Sequence, residues 1–391
     1  MNLAAIWTVA KKELIDLFRD RKTMALGLFM GPVLIPAMIL GVGALAEKRV
    51  RTQLESTLEL PVVGAEHAPN LVAFLESRNI DILPPPADPD RAVRDQEHDL
   101  VLRIDPEFGE QWRGSRAAKV ELVYDSSRQD SQIPVSRVRG VLTEYSRTVG
   151  VLRGIHRGIS PEVAFAVQIG QRDVATPEAR RGMLLVFLPY VLVLFSFLGG
   201  AALVIDITAG ERERQSLEPL LATPASRGAI VSGKILAASL VGLAALLLTL
   251  LALKAGAQMV PGIGRLMDVS MLAIAKMLLV LLPMLFIGTA LLTFIAAGAK
   301  SVKEAQSYMS MLMLLPIVPT VMLMVSPIRT QLWQYVVPFL AQNQMLLKVI
   351  RAEAIAPLEW AVYFGAGFGL AALLWFAATR RYHQERLAIS A

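Results

Sequence analysis

A length of 391 residues, of which 54% are hydrophobic and only 18% are charged, together with a mean hydropathy of +0.50, excludes an ordinary soluble protein and indicates a membrane protein. The lack of cysteine excludes disulfides, thiolate metal sites and cysteine nucleophiles. The net charge of +6 does not indicate nucleic-acid binding, because the basic residues flank apolar segments instead of forming one stripe.

The N-terminal segment, residues 1–23, has the pattern of a cytoplasmic amphipathic helix. Apolar residues recur at helical spacing at Trp7, Ala10, Leu14 and Leu17, with charged residues between them. Such a helix can lie in the membrane interface, although a plain extension of the next apolar segment fits the same pattern. That segment, residues 24–46, is longer than the apolar core of a secretory signal, and it predicts an uncleaved transmembrane helix.

Apolar runs of about 20 helical residues, long enough to cross a bilayer, occur six times. After 24–46 they all fall within residues 182–379, at 183–205, 230–253, 271–299, 305–325 and 358–379. Lys and Arg concentrate in alternate flanks, which predicts that these flanks, both termini and the tail 380–391 are cytoplasmic. The sequence therefore predicts an α-helical polytopic membrane protein with six transmembrane helices.

Residues 47–181 are polar and lie on the outer side if every apolar run crosses the membrane. The segment is long enough for a domain with its own core. The stretches LPVVGA, HDLVLRID and KVELVYD predict strands. From Val138 onward, apolar residues keep a period near 3.6, which predicts a long amphipathic helix. We expect a mixed α/β extracytoplasmic domain inserted between helices 1 and 2.

The connector between the second and third spans, residues 206–229, is charged and is interrupted by Gly and Pro. Its end overlaps GAIVSGK, residues 228–234, which has the G-x-x-x-x-G-K spacing of a P-loop. We do not expect it to bind nucleotide, because Ile235 stands where Ser or Thr would hold magnesium and the following helix enters the membrane. Lys234 is expected to extend its ammonium group to the cytoplasmic lipid headgroups instead.

The sequence offers no candidate catalytic residue and no candidate metal site. The four histidines are scattered, and none has the spacing of a zinc site. No G-x-S-x-G elbow occurs, and the carboxylate pairs of the outer segment are typical of solvated surfaces. The chain is therefore not expected to be an enzyme.

Polar residues within the spans are the candidates for a translocation pathway, because such groups are costly in lipid. Gln306 and Ser310 give the fifth span a sparse polar face, and Pro316 and Pro319 predict a kink that frees backbone carbonyls. A kinked packing helix fits these residues equally well. Lys276 lies near the outer end of the fourth span, where extension to the headgroups is favoured over a pathway role.

The connector sequence GERERQSLEPLLATPASR resembles the cytoplasmic loop of type-2 ABC exporter permeases, especially the NatB-like sodium-efflux branch, with Ser216 where Thr is usual. Residues 300–319, KSVKEAQSYMSMLMLLPIVP, are similar to the second inner loop and fifth span of that family. VVPFLAQNQMLLKVIRAEAI resembles the segment before its last span, which is re-entrant there. The resemblance covers almost the whole chain and implies the type-2 ABC exporter permease fold, with a re-entrant segment at 327–356.

The resemblance also implies that a separate ATPase subunit docks on the cytoplasmic loops. The residues implied to couple to it are Gly210, Glu211, Glu213, Arg214, Leu217, Glu218, Leu221, Pro224 and Arg227 in the connector, and Lys303 and Glu304 in the second inner loop. Mixed charges, an apolar leucine face and a proline that ends the unit suit such docking. An amphipathic loop lying on the membrane without a partner is the alternative.

By this resemblance the protein is expected to be the permease subunit of an ATP-driven exporter in a bacterial cytoplasmic (inner) membrane. Its expected partners are two copies of an ATPase subunit, a second permease that is identical or homologous, and membrane lipids. ATP and magnesium are expected in the ATPase subunits, and no cofactor is expected on this chain. An extracytoplasmic accessory protein is compatible with the outer domain, and nucleic acid is not expected.

The sequence does not select one substrate class. The resemblance implies sodium, but the spans contain no Asp or Glu near mid-membrane, where a sodium site would need oxygen ligands. Drugs, peptides or lipids are therefore alternatives. A non-transport sensor with an extracytoplasmic ligand-binding domain is another, although a sensor needs fewer crossings. A secondary transporter would show an internal repeat and buried carboxylates, and we find neither.

Overall fold

The computed structural model describes residues 3–19, 24, 28, 31–128, 131–160, 175–185, 187–215, 223–260, 262–325 and 330–382. Contacts between Cα atoms divide the chain into two compact units. Leu45–Asp173 form the first, which we call the α/β unit. Met1–Ala44 and Val174–Ala391 form the second, which we call the helical unit.

The helices and strands alternate in the first half of the chain, and the second half is helical. The elements are, in chain order, α1 (Leu3–Arg19), α2 (Gly31–Glu55), β1 (Leu58–Val63), α3 (Pro69–Ser77), β2 (Ile80–Leu83), α4 (Pro89–Arg94), β3 (Leu100–Ile104), α5 (Phe108–Arg113), β4 (Val120–Tyr124), α6 (Gln132–His156), α7 (Pro177–Leu184), α8 (Leu188–Leu198), α9 (Ala201–Ile205), α10 (Glu211–Glu213), α11 (Arg227–Met259), α12 (Ile263–Met267), α13 (Met271–Ala296), α14 (Val302–Leu312), α15 (Ile317–Val325), α16 (Leu340–Ile350) and α17 (Pro357–Tyr382). A π-helical turn, Asp206–Gly210, joins α9 to α10.

The α/β unit is built on a sheet with strand order β2-β1-β3-β4. β1 is parallel to both β2 and β3, and β3 is antiparallel to β4. Parallel neighbours require a crossover, and the helices α3 and α4 provide the connections from β1 to β2 and from β2 to β3. β1, β3 and β4 lie in the three stretches that the sequence predicts as strands. β2, only four residues long, has too short a pattern to predict.

The core of the α/β unit lies between the sheet and α6. Leu60 of β1, Leu102 of β3, and Val135 and Val138 of α6 are buried together. Each such side chain contributes about 1.5–3 kcal/mol by leaving water. α6 is the predicted long amphipathic helix, and it begins at Gln132, six residues before the start of the predicted period.

Within the described residues of the helical unit and α2, five helices are long and apolar enough to cross a membrane. They are Gly31–Arg49, Leu188–Glu213, Arg227–Met259, Met271–Ala296 and Pro357–Tyr382. The second runs from α8 through the π-helical turn to α10. These helices occupy five of the six regions where the sequence predicts spans.

The remaining predicted span, 305–325, is not one continuous helix. It consists of α14 and α15, with a turn at residues 313–316 between them. Proline lacks an amide hydrogen and disfavours a helical conformation in the residue before it. The chain therefore leaves the helix just ahead of Pro316 and resumes it at Ile317, a larger interruption than the predicted kink.

The helix α13 lies at the centre of the helical unit, in contact with α8, α11 and α17. At Gly288 the backbones approach so closely that a Cβ would lie 2.1 Å from the carbonyl oxygen of Phe197. The buried hydroxyls of Ser239 and Thr289 are 3.0 Å apart, and Ser196 donates to the Leu281 carbonyl over 2.9 Å. Small residues and hydroxyl hydrogen bonds are the contacts that hold helices together in a bilayer.

The segment 327–356 contains a 3-10 helix, Leu332–Val336, and the mostly buried helix α16. The eleven residues of α16 span about 16 Å, too short to cross the hydrocarbon core. Lys348 at its end lies 2.6 Å from Glu359 of α17, and the Tyr335 hydroxyl donates to the same carboxylate over 3.1 Å. These polar contacts anchor α16 to the start of the last span.

Candidate functional site

The connector begins as a direct continuation of the second span. The π-helical turn ends at Gly210, which is buried, and a Cβ there would lie 2.8 Å from Arg214 and 3.0 Å from Asp206. The missing side chain lets the guanidinium of Arg214 fold back onto the Asp206 carboxylate. Arg214 also donates to the Gly210 carbonyl over 3.1 Å. The connector is thus ordered from its first turn.

Four ionisable side chains, Lys12, Glu13, Glu211 and Lys234, meet at this point, and we call them the ion cluster. The Nζ of Lys234 lies 2.6 Å from Oε2 of Glu211 and 3.5 Å from Oε1 of Glu13. It also donates to the Ile207 carbonyl. The Nζ of Lys12 lies 3.3 Å from Glu13 and 3.4 Å from Glu211. Two lysines and two carboxylates therefore share one site formed by α1, α10 and α11.

The expectation that Lys234 reaches the lipid headgroups is wrong, because its side chain is 0% exposed. A buried ammonium costs several kcal/mol unless carboxylates surround it, and here Glu211 and Glu13 do so. The neighbouring Gly233 permits this packing. A Cβ there would lie 2.6 Å from Val9, so α1 rests directly on the backbone of α11.

The helix α1 has the predicted amphipathic pattern, but one face of it packs on protein. Ala10 and Glu13 are buried, whereas Trp7 is 56% and Phe18 is 58% exposed. The exposed aromatic residues leave the other face free to contact lipid. Glu13 follows Ala10 by three residues and precedes Leu17 by four, which places its carboxylate on the apolar face. That spacing is the sequence signal that identifies Glu13 as a partner for a buried cation.

Burial and neighbouring charges shift the pKa values of the two groups on α1. Burial raises the pKa of Glu13, and the like charge of Glu211 adds to this, while Lys234 and Lys12 oppose it. Burial works to lower the pKa of Lys12, but Glu13 and Glu211 outweigh it and raise that pKa. Lys12 is therefore charged at neutral pH and helps to balance the two carboxylates.

The connector also contacts the segment that joins α13 to α14. The Glu213 carboxylate accepts a hydrogen bond from the Val302 amide over 2.9 Å. The Arg212 guanidinium donates to the Ala299 carbonyl over 3.1 Å. The start of α14 and the end of the α13 segment are thereby tied to α10.

Two side chains cap the start of α14. The Ser301 hydroxyl accepts from the Glu304 amide over 3.2 Å, and the Glu304 carboxylate accepts from the Lys300 amide over 2.7 Å. This bond from the Lys300 amide lowers the pKa of Glu304. Lys303, the other residue implied to couple in this loop, is exposed.

The far end of the connector is joined to the last span. Arg227, at the start of α11, donates to the Tyr382 carbonyl over 3.1 Å. Pro224 is exposed ahead of it. The remaining residues implied to couple, Leu217, Glu218 and Leu221, lie outside the described residues.

The pathway candidates are divided between two helices. Gln306 and Ser310 are exposed on α14, and Ser310 donates to the Gln306 carbonyl over 3.1 Å. Pro316 is buried and Pro319 is half-buried around the break, whereas Lys276 is exposed on α13. The described part of the chain contains no group of three or more His, Cys, Asp or Glu that could hold a metal ion.

Residues 7–386 match the family described as ABC-2 family transporter protein. The chain is also 30% identical, over 350 residues, to the ABC transporter permease protein NatB of Bacillus subtilis (strain 168), which covers 88% of this chain and 89% of that protein. No solved structure matches the chain. The family match extends through the connector and the long apolar helices. The chain belongs to the ABC-2 family of transporter permeases.

Proposed function

We propose that this permease is the membrane subunit of an ATP-driven exporter and that its connector receives the motion of an ATPase subunit. The observation that carries the proposal is the position of Glu211, which begins α10 within the connector and pairs with Lys234 of α11 and Lys12 of α1. A displacement of the connector therefore acts directly on two further helices.

The contacts of α10 extend this connection to the second inner loop. Glu213 and Arg212 bind backbone groups of that loop, so α10 has partners on α1, α11 and the start of α14. Breaking a buried pair by removing one partner costs about 3–5 kcal/mol, so the ion cluster resists independent movement of these helices. Packed elements of this kind move as bodies between discrete arrangements, which is what alternating access requires.

The docking surface is expected on the exposed part of the connector and its neighbour. Glu213, Arg214 and Lys303 are exposed, and Glu218 lies in the middle of the connector sequence. Mixed charges of this kind favour a specific and salt-sensitive contact with a partner of complementary charge. The partner would hold ATP and magnesium, and two copies of it would act with this permease and a second permease that is identical or homologous.

The proposed topology has six crossings, with α14 and α15 together forming the fifth. A broken crossing is tolerated in a membrane where its free backbone groups are buried in protein or line a cavity, which supports a pathway role for Gln306, Ser310, Pro316 and Pro319. The α/β unit would lie outside, and both termini would lie inside a bacterial inner membrane, as the Lys and Arg bias indicates.

Sodium is the first substrate to test, because the connector resembles the sodium-efflux branch. Amphipathic drugs, peptides and lipids are the second, because the spans lack a carboxylate near mid-membrane. Both classes can be screened by their stimulation of ATP hydrolysis in the purified complex.

The test separates docking from coupling. The full chain is purified from native membranes, and the preparation is assayed for an accompanying ATPase. Glu218→Lys reverses a charge of the expected docking surface and should release the ATPase subunit. Arg212→Ala removes the donor to the Ala299 carbonyl, so the subunit should stay while stimulation by substrate falls by about tenfold.

Glu97→Lys is the matched control, because Glu97 is exposed in the α/β unit. It should leave both the ATPase subunit and the stimulation unchanged. A wild-type chain that is purified without any ATPase subunit would refute the exporter proposal and favour a sensor.

A further inference from the structure

The α/β unit contains a cavity of about 360 Å³ between α5, the start of β4 and α6. All residues that line it belong to this unit. Pockets for small molecules occupy about 300–1,000 Å³, so this one is large enough for a small organic molecule. None of the chain's expected roles as an exporter permease uses it.

One wall of the cavity is a row of parallel aromatic rings. Phe108 and Trp112 stack with centroids 5.7 Å apart and an interplanar angle of 15°, and Trp112 and Tyr145 stack at 5.5 Å and 16°. Trp112 and Tyr145 are only partly buried, so part of their surface faces the cavity. Because these rings cover one another's faces, their edges can contact a flat ring edge-to-face or an acyl chain, with burial of apolar area.

Two arginines also line the cavity. The guanidinium of Arg153 lies 4.6 Å from the centroid of the Trp112 ring and donates to the Trp112 carbonyl over 2.9 Å and the Arg116 carbonyl over 3.3 Å. These contacts hold Arg153 in place. Arg116 is exposed. None of the hydrogen bonds and ion pairs of the described lining residues uses its guanidinium, which is therefore available to bind a ligand.

No acidic side chain balances these two cations among the described residues of the lining. Tyr145 and Ser146 add hydroxyl groups. Burial raises the pKa of Tyr145, which keeps its phenol a neutral hydrogen-bond donor. The cavity therefore combines an apolar aromatic wall with cationic and neutral donors.

We propose that this cavity binds a small amphipathic carboxylate, with its ring or short acyl body against Trp112 and Tyr145 and its anionic group at Arg116 and Arg153. The planar guanidinium matches a carboxylate in geometry and charge. The site lies wholly within the α/β unit, and its occupancy is independent of the ATPase subunit. It goes beyond the proposed transport function.

Two glycines of α6 provide a matched pair of variants. Gly150 lines the cavity and Gly140 does not, and a Cβ on either one would meet no atom within 4 Å. Leucine fits a helix better than glycine, so both Gly150→Leu and Gly140→Leu should fold. Only the first places a side chain in the cavity.

The experiment is a calorimetric titration of the purified full chain in detergent with 2-naphthoate. The wild type and Gly140→Leu should bind the probe saturably with equal affinity, and Gly150→Leu should weaken it by about tenfold or more. Because the detergent background is the same in all three proteins, their difference reports on the cavity alone.

A second comparison tests the charge. Arg116→Gln should weaken 2-naphthoate binding about fivefold or more and leave the binding of the neutral 2-naphthalenemethanol unchanged. Absence of saturable binding by the wild type would overturn the proposal, including the case in which a neighbouring protein segment occupies the cavity. Equal affinities of the wild type and Gly150→Leu would also overturn it, as would an alcohol that binds as tightly as the anion.

Discussion

The Lys234 side chain is fully buried in α11, a helix of apolar and small residues. Its ammonium group lies between the carboxylates of Glu211 and Glu13. A lysine side chain long enough to reach the headgroups is also long enough to reach a carboxylate on an adjacent helix. The carboxylate is reached instead of the headgroups because Gly233 lets α1 approach α11 closely enough for Glu13 to contact Lys234.

Replacing the buried lysine tests how much the ion cluster contributes to stability. Lys234→Met leaves Glu211 and Glu13 buried with Lys12 as their remaining lysine partner, so we expect a loss of about 3–5 kcal/mol in the free energy of unfolding. The measurement is the thermal unfolding midpoint of the purified chain in detergent. Adding Glu211→Gln to the same variant should recover part of the loss, because it removes one unbalanced charge.

The matched control is Lys276→Met, the same substitution at an exposed position of α13. It should change the free energy of unfolding by less than about 0.5 kcal/mol. Equal losses for the two variants would contradict a special contribution of the ion cluster.

At the scale of elements, the start of α14 depends on a charged cap that titrates. The Lys300 amide donates to the Glu304 carboxylate and lowers its pKa below the ordinary value of 4.5. The charged form therefore stabilises the folded state. This contribution is complete at pH values above 4.5 and is lost as the pH falls through the lowered pKa.

We expect Glu304→Gln to be less stable than the wild type at pH 7 and to approach it as the pH falls below about 4.5. The measurement is the difference between the two unfolding midpoints at a series of pH values. Since Glu13 is present in both proteins, its opposite shift cancels in the difference. A difference between the two midpoints that stays constant over the pH series would refute the prediction.

The elements that sequence predicts well have a clear local signal. α6 has a helical period, β1, β3 and β4 coincide with short runs rich in Val, Leu and Ile, and the long apolar helices are identified by length and hydropathy. The prolines predict a kink in the fifth span, but the extent of the break at residues 313–316 is underestimated, because a mean hydropathy is the same whether or not the residues share one helix. The proline positions show where a helix is weakened, but the packing around Pro316 decides how far it opens.

Many contacts of the candidate site cannot be predicted from a single sequence. The motif from Gly210 to Arg227 is recognisable because its charges and leucines are adjacent in the chain. The ion cluster is not, because it joins residues as far apart as Lys12 and Glu211, and only tertiary packing brings them together. The signals available in advance are a carboxylate on the apolar face of α1 and a lysine in an apolar helix.

At the scale of the whole molecule, the chain consists of a membrane part and an α/β unit with separate cores. The proposed orientation rests on the distribution of Lys and Arg. Because the chain contains no cysteine, any single introduced thiol reports its own side of the membrane without background.

We expect Glu97→Cys, in the α/β unit, to react with a membrane-impermeant maleimide in intact spheroplasts. Lys303→Cys, in the second inner loop, should react only after the membrane is opened. Both positions are exposed, so solvent access by itself does not separate them. The reverse pattern would invert the proposed topology, and labelling of both in sealed spheroplasts would place them on one side.

The ion cluster also sets an order of events during synthesis. Lys12 leaves the ribosome 199 residues before Glu211, which at about 5–20 residues per second is a delay of about 10–40 s. During that interval Glu13 has no partner on another helix, and an amphipathic helix in this state binds the membrane surface. We therefore expect α1 to lie at the membrane surface during that interval and to dock on α11 only after the third span has been inserted.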